Sequence, residues 1–425
     1  MSSPYVPRIV DGELDEISPS LSAIAIEGAK GVGKTATALE RAATVYRLED
    51  PDQRAILDAD LSRLRAGPAP ILIDEWQRVP GSWDVVRRAV DDGAPPGTYL
   101  LTGSPPAPGV AIHSGAGRIV SVRMRPLSLA ERGLAAPTVS LTALLRGERV
   151  DPVGTTAMTL DDYVEEILRS GFPGLRSLGG RASRSQLDGY LERIVEREFA
   201  EAGYIVRNPA GLRRWLAGYA AATATNASFE AIRSAATGGL DQKPSRGAAA
   251  PYRDVLERLH VLDPLPPWLP TRNHIARLSA APKHHLVDTA LTARLLNVDH
   301  AALVGGARPE PRMPRDGTLL GALFESLVTQ SVRVYAQAAE ARVGHLRTHR
   351  GEREVDLIVE GTGGRVLAIE VRLAPTFADH EVRHLHWLKE QLGGDLVDAA
   401  VITTGQEAYR RKDGIAVIPA ALLGP

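Results

Sequence analysis

Eight residues near the N-terminus have the types and spacing to grip a phosphate chain. They read Gly28-Ala29-Lys30-Gly31-Val32-Gly33-Lys34-Thr35, which fits GxxxxGK[ST]. Glycines at those positions let backbone N–H groups wrap phosphate oxygens. The lysine then reaches the β- and γ-phosphates, and the threonine hydroxyl faces a Mg²⁺ ion. Downstream, Ile71-Leu72-Ile73 runs into Asp74-Glu75. A carboxylate ending an apolar strand is placed to hold Mg²⁺, and its neighbour can orient and deprotonate an attacking water. Leu101-Thr102-Gly103-Ser104 ends the next strand. There Ser104, or Thr102, would lie near the γ-phosphate and position that water. Taken singly, these could be a glycine turn, a pair of strand-end carboxylates and ordinary turn chemistry. The strand–loop–helix context and the second motif favour nucleotide chemistry.

A second set lies near the C-terminus: Glu325 on a helix, Glu354-Val355-Asp356 on a strand, and Glu370-Val371-Arg372 fourteen residues after Asp356. Two carboxylates on adjacent strands can hold Mg²⁺ while a cation sits beside an attacked phosphate. Residues 370 and 372 share one face of a strand. The pattern resembles the PD-(D/E)xK restriction-endonuclease-like core. That likeness makes Glu325, Asp356, Glu370 and Arg372 a candidate nuclease set. Arg372 departs from the pattern, because a planar guanidinium does not replace a compact ammonium. The favoured reading is a structural or nucleic-acid-binding relic, with an active nuclease as the alternative. Nearby, His380-Glu381-Val382-Arg383-His384 matches HExxH. Arg383 beside a would-be metal histidine, and His386 too close to be a third ligand, favour a polar helix face instead.

The elements that must position these residues follow from periodicity. Residues 21–26, 69–73 and 99–102 read as buried strands, with another around 118–124. A helix is expected from Thr35 to about Leu48. Strands alternating with helices predict an α/β fold with a parallel sheet. Residues 160–200 read as helical, interrupted at 171–174. Three helical stretches follow, around 211–223, 227–236 and 247–261. After a proline-rich stop come a helix at 319–336, strands at 355–359, 366–371 and 399–402, and a helix at about 379–392. Residues 307–317 read as a linker.

Composition narrows the function classes. The 425 residues carry 50 basic and 51 acidic side chains, so no global charge pulls the chain toward nucleic acid or a membrane surface. There is no cysteine, which excludes disulfides, thiolate metal sites and a cysteine nucleophile. No run approaches the ~18 apolar residues of a membrane helix, and the N-terminus is not a signal peptide, so a cytoplasmic location and no membrane partner are expected. Only six of the 50 basic residues are lysine: Lys30, Lys34, Lys243, Lys283, Lys389 and Lys412. In such a chain a surviving lysine says more than an arginine does.

A longer series of motifs carries a family resemblance. It comprises Ile26-Glu27-Gly28 through Thr35, Asp74-Glu75-Trp76-Gln77-Arg78-Val79-Pro80, the LTGS of 101–104, Ala116-Gly117-Arg118, and Arg125-Pro126-Leu127-Ser128 with Glu131. TLDDYVEEILRSGFPGL and YLERIVEREF extend it. Together they resemble the bacterial and archaeal AAA-type P-loop ATPases with a C-terminal domain of unknown function, DUF4143. The likeness implies a parallel-sheet ATPase domain over 1–135, a helical connector over 136–188, a winged-helix-like domain over 189–306 and a PD-(D/E)xK-like tail over 307–425. It implies ATP and Mg²⁺ as cofactors, with nucleotide binding by Gly28, Ala29, Lys30, Gly31, Val32, Gly33, Lys34, Thr35 and Ala36. Thr35 and Asp74 would hold the metal, Glu75 would be the catalytic carboxylate and Ser104 the sensor. Arg118 is a candidate arginine finger, which in trans would need a homo-oligomer. From Tyr190 to His285 there are 13 basic against nine acidic residues. A basic three-helix unit is a candidate DNA reader. Three roles compete: a DNA-coupled ATPase, a nucleotide-controlled switch on a protein partner, and an ATP-regulated nuclease.

Overall fold

The computed structural model describes residues 5–104, 114–148, 151–236, 246–270, 281–304, 317–348 and 352–425. Strands β1 (Ala23–Glu27), β2 (Thr44–Arg47), β3 (Ile71–Asp74), β4 (Tyr99–Thr102) and β5 (Val120–Arg123) form one sheet in the order β2-β3-β4-β1-β5. Every pairing in it is parallel. In a parallel sheet both faces are covered, so side chains alternate between two cores. Ile24, Ile26 and Leu72 face a core shared with the middle helices, through Leu212, Trp215 and Tyr219. Ala23, Ala25, Ile71 and Ile73 face the other, with Trp76, Trp83 and Val86. The register sets Ile26 beside Thr102, and Thr102 beside Asp74. The C-terminal ends of β1, β3 and β4 thereby meet, as loops that bind ligands in such sheets require.

One expected element is corrected. The helix after the glycine loop spans only Lys34–Leu39, and Thr44–Arg47, expected as its continuation, is β2. Thr44-Val45-Tyr46 is rich in β-branched and aromatic side chains, and pairing with β3 outweighs helical continuation.

The middle is helical, with Leu160–Leu168, Gly180–Arg193, Pro209–Ala221, Phe229–Ala235 and Arg246–Arg258 where helices were expected. The tail holds a mixed sheet. Its strands are β7 (Arg342–Arg347), β8 (Glu354–Glu360), β9 (Val366–Arg372), β10 (Leu396–Thr403), β11 (Tyr409–Arg410) and β12 (Ala416–Pro419), in the order β11-β12-β10-β9-β8-β7. A long helix, Gly317–Ala338, packs on this sheet through Leu323, Phe324 and Leu327. Two short strands, β6 (Val139–Ser140) and β13 (Leu423–Gly424), pair in parallel and join the chain's last residues to the connector. The linker expected at 307–317 falls outside the described residues except for Gly317, which opens the long helix.

The outer edge of β7 is covered by the middle segment. His345 N donates to Pro266 O at 3.0 Å, and Trp268 N donates to His345 O at 2.6 Å. Leu265 and Lys283 then exchange backbone hydrogen bonds at 2.9 and 3.0 Å. An uncovered edge is a liability for aggregation. Covering it also carries Lys283 to the tail.

Candidate active site

The glycine loop is held from three sides. Gly28 has φ +154°, and a Cβ there would lie 2.2 Å from the carbonyl oxygen of Met124, so only glycine fits. Arg8 is buried beneath the loop. It donates to Val32 O at 2.8 Å and Arg125 O at 2.7 Å, and pairs with Glu131 at 2.9 Å. Arg8 carried no motif, because its role depends on contacts that no local spacing links, from 24 residues away at Val32 to 123 at Glu131.

Lys34 opens the helix after the loop and is 7% exposed. Its Nζ donates to Gly28 O at 2.8 Å and Ala29 O at 3.1 Å. Burial lowers its ammonium to about 8, against the opposing pull of Glu75 and Asp74. Beside it, Thr35 Oγ1 donates to Asp74 Oδ1 at 2.7 Å, and Thr102 Oγ1 donates to the same oxygen. Hydroxyl and carboxylate oxygens converge here, a donor set that suits a hard cation such as Mg²⁺.

Glu75 follows in the left-handed region, with φ 57° and ψ 45°. A non-glycine residue there costs about 1–3 kcal/mol, and such strain gathers at functional sites. The turn swings its carboxylate out of the strand direction. Gln77 Nε2 donates to Glu75 Oε2 at 2.6 Å, while Gln77 Oε1 accepts from Ser104 N at 3.2 Å. A Cβ on Gly103 (φ +156°) would lie 2.1 Å from that Oε1. Gln77 therefore ties Glu75 to the end of β4. Sequence reasoning quoted Gln77 within a motif but gave it no role. Ser104 meets Gln77 through its backbone, and of the two hydroxyls at the end of β4 it is that of Thr102 that bonds Asp74.

A cleft of about 330 Å³ opens over the loop. Lys30, Gly31, Arg78 and Ser104 line one wall, and Tyr190, Arg193, Arg197 and Glu198 of the middle helices line the other. Lys30 pairs with Glu198 at 2.8 Å across it. Arg118 is not in this group. It precedes β5, at the sheet's N-terminal edge and opposite the loop, and pairs with Asp91 at 2.8 Å. Within its own chain it therefore lies away from the glycine loop.

Residues 21–132 match the family described as AAA domain, 160–302 the domain of unknown function DUF8612, and 320–423 the domain of unknown function DUF4143. The chain thus carries an AAA-domain match in its N-terminal part and a DUF4143 match in its tail. It is 27% identical to the uncharacterized proteins Rv2008c of Mycobacterium tuberculosis and Mb2031c of Mycobacterium bovis, over 98% of this chain and 89% of each relative. Among solved structures it is similar to the Walker-type ATPase PABY2304 of Pyrococcus abyssi, at 16% identity and a TM-score of 0.39. That likeness covers 67% of this chain and 94% of the other.

The DUF4143 tail does bring together the carboxylates singled out in the sequence. Leu357 pairs with Ile369, which sets Asp356 across from Glu370 on β8 and β9. Val371 N donates to Asp356 Oδ2 at 2.9 Å. Arg372 pairs with Glu370 at 3.0 Å and reaches Asp356 at 3.7 Å and Glu381 at 3.6 Å. Burial and the neighbouring Asp356 push the Glu370 carboxyl well above its usual range. Lys283 of the DUF8612 region enters the same cluster. Its Nζ lies 2.8 Å from Glu325, 3.1 Å from Asp356 and 3.3 Å from Glu354. Sequence reasoning counted Lys283 as a surviving lysine without placing it.

The HExxH match forms no metal site. His380 and Glu381 lie in a 3₁₀ turn, Asp379–Val382, and the α-helix begins only at Arg383. His384 Nδ1 bonds the Glu354 carbonyl at 2.7 Å. Among the described residues no group of three or more His, Asp or Glu side chains is arranged to hold a metal ion.

One of the middle segment's surplus cations is used outside it: Lys283 is buried against carboxylates of the tail, while Arg213 pairs within the segment with Glu192 at 3.2 Å and Glu196 at 3.6 Å. Among the described residues no helix is long and apolar enough to cross a membrane.

Proposed function

We propose that the AAA domain binds and hydrolyses ATP with Mg²⁺. The observation that carries this reading is the meeting of Lys34 and Thr35, at the start of the helix after the glycine loop, with Asp74 and Glu75 at the end of β3. The loop amides and Lys34 take the β- and γ-phosphates, with Lys34 leaving the Gly28 and Ala29 carbonyls to do so. Thr35 and Asp74 would hold Mg²⁺, which when bound offsets charge on the phosphate oxygens. Glu75 accepts a proton from water as the water oxygen bonds to the γ-phosphorus. The bond from that phosphorus to the bridging oxygen breaks, and ADP leaves with the electron pair. Gln77 holds the Glu75 carboxylate in place. Catalysis is mainly positioning and charge stabilisation.

Arg193 and Arg197 reach the cleft from the helical middle, so bound triphosphate would draw that segment against the AAA domain. This supports a nucleotide-controlled change in the relation of the two parts, coupled to DNA or to a protein partner. Phosphate release should be measured with Mg²⁺ alone and across DNA and RNA of varied structure, with Lys34→Ala as control. Wild type is expected to release phosphate from ATP, and Lys34→Ala to neither bind nor hydrolyse it. Stimulation by DNA would assign the coupling to DNA. Equal rates with and without nucleic acid would assign it to a protein.

A further inference from the structure

The carboxylate cluster of the DUF4143 tail has the residues of a metal-dependent nuclease but not its vacancy. A divalent cation needs oxygens drawn to about 2.0–2.6 Å around an open centre. Here the space among Glu325, Glu354 and Asp356 is taken by the Lys283 ammonium, at 2.8, 3.3 and 3.1 Å. The Lys283 side chain is 1% exposed. Burial alone would lower its charge affinity, yet the three carboxylates hold the ammonium firmly protonated. Both oxygens of Asp356 are engaged, Oδ1 by Lys283 and Oδ2 by the Val371 amide, with Arg372 nearby. Glu370, the cross-strand partner, is paired with Arg372. A metal ion entering this space would meet two fixed cations at close range in a poorly solvated setting, where their repulsion is least screened.

The nucleotide site shows the contrast within one chain. There the lysine lies on backbone carbonyls, and the hydroxyl–carboxylate pair of Thr35 and Asp74 stays beside it. In the tail the lysine lies on the carboxylates themselves. Lys283 is also no loose surface residue. Its backbone is fixed on both sides by Leu265, within the segment that covers β7.

We propose that Lys283 is a built-in replacement for the divalent cation, making the cluster a closed, metal-independent ionic centre that fastens the DUF8612 region to the DUF4143 tail. Glu325 from the long helix, Glu354 and Asp356 from β8, and Lys283 from the middle segment are its four members. The tail then acts as a fixed platform for the middle segment and does not cut phosphodiesters with metal.

Mn²⁺ is the probe. Its binding to the full chain without nucleotide is read by electron paramagnetic resonance, for wild type and Asp356→Asn. The two are expected to take up the same amount. Uptake by wild type that is lost in Asp356→Asn would overturn the proposal, as would Asp356-dependent nicking of plasmid DNA with Mn²⁺. Lys283→Ala supplies the converse. It is expected to gain one Mn²⁺ per chain and to melt at a higher temperature with Mn²⁺ than without. Lys283→Ala/Asp356→Asn should lose both effects. A folded Lys283→Ala that ignores Mn²⁺ would also overturn the proposal. If Lys283→Ala does not fold, the wild-type comparison decides.

Discussion

Lys34 is a cation held in a dry site with its charge only partly matched. Burial has brought it to about 8, so the empty site loses its proton above that pH. A bound triphosphate favours the charged form and should restore the ordinary value. ATP binding at pH 9 is therefore expected to draw in about one proton, and at pH 7 close to none. Calorimetry in buffers of different ionisation enthalpy reads this directly, and no proton uptake at pH 9 would mean that Lys34 is unshifted. Gln77 makes a second residue-scale claim. Its bond to Glu75 at 2.6 Å sets the carboxylate's direction without touching phosphate. Gln77→Ala should lower kcat about tenfold to a hundredfold, the scale of a small misplacement, and leave the KM for ATP nearly unchanged. Loss of ATP affinity instead would place Gln77 in binding. The glycine loop, Asp74 and Glu75 were legible in the sequence because their spacing is local. Arg8, the Gln77 bridge and the bond from Thr102 to Asp74 were not. They depend on which side chains the fold brings to the loop, to Glu75 and to Asp74.

Among elements, the parallel strands were readable wherever apolar runs ended in glycine or carboxylate. β2 was not, since Thr44–Arg47 follows a helix with no turn signal strong enough to mark the break. The cover on β7 was also hidden, because Pro264, Pro266 and Pro267 read as a stop, whereas Pro266, Pro267 and Trp268 lie along a sheet edge. Lys283 illustrates the same limit. It lies forty-two residues before Glu325, and no spacing rule links a lysine in one region to carboxylates in the next. One tie among the described elements centres on Asp263, which is buried among three arginines. Its carboxylate pairs with Arg125 at 2.8 Å, Arg333 at 3.2 Å and Arg123 at 3.6 Å. Despite burial, these guanidiniums hold it far below the usual carboxylate range. Burial in turn pushes Arg333 down to about 10. Asp263→Asn would leave three arginines short of their counter-ion and should cost about 3–5 kcal/mol at pH 7. Because the folded value is depressed, this stabilisation is present above about pH 4, the ordinary carboxylate value, and is lost as pH falls below it. Urea unfolding should show wild type and Asp263→Asn converging in acid. A constant gap from pH 7 to pH 3 would mean that the charge does not matter.

Across the whole molecule, that cluster joins the AAA domain, the middle segment and the tail. Arg123 and Arg125 leave β5 beside the glycine loop, Asp263 belongs to the middle segment, and Arg333 lies on the long helix that also carries Glu325. The same helix binds the AAA domain's trailing segment, with Tyr335 OH accepting from Ala130 N at 3.0 Å and Gln330 Nε2 donating to Pro126 O at 3.0 Å. The tail is thus bonded to both the AAA domain and the middle segment, whose helices line the cleft over the glycine loop. The proposed turnover of ATP in that cleft is tested most directly at Glu75. Phosphate release and ATP retention should be measured side by side for wild type and Glu75→Gln in Mg²⁺. Glu75→Gln is expected to bind ATP as wild type does while hydrolysing it about 10²–10⁴-fold more slowly, the usual contribution of a general base. Hydrolysis by Glu75→Gln at the wild-type rate would contradict the assignment.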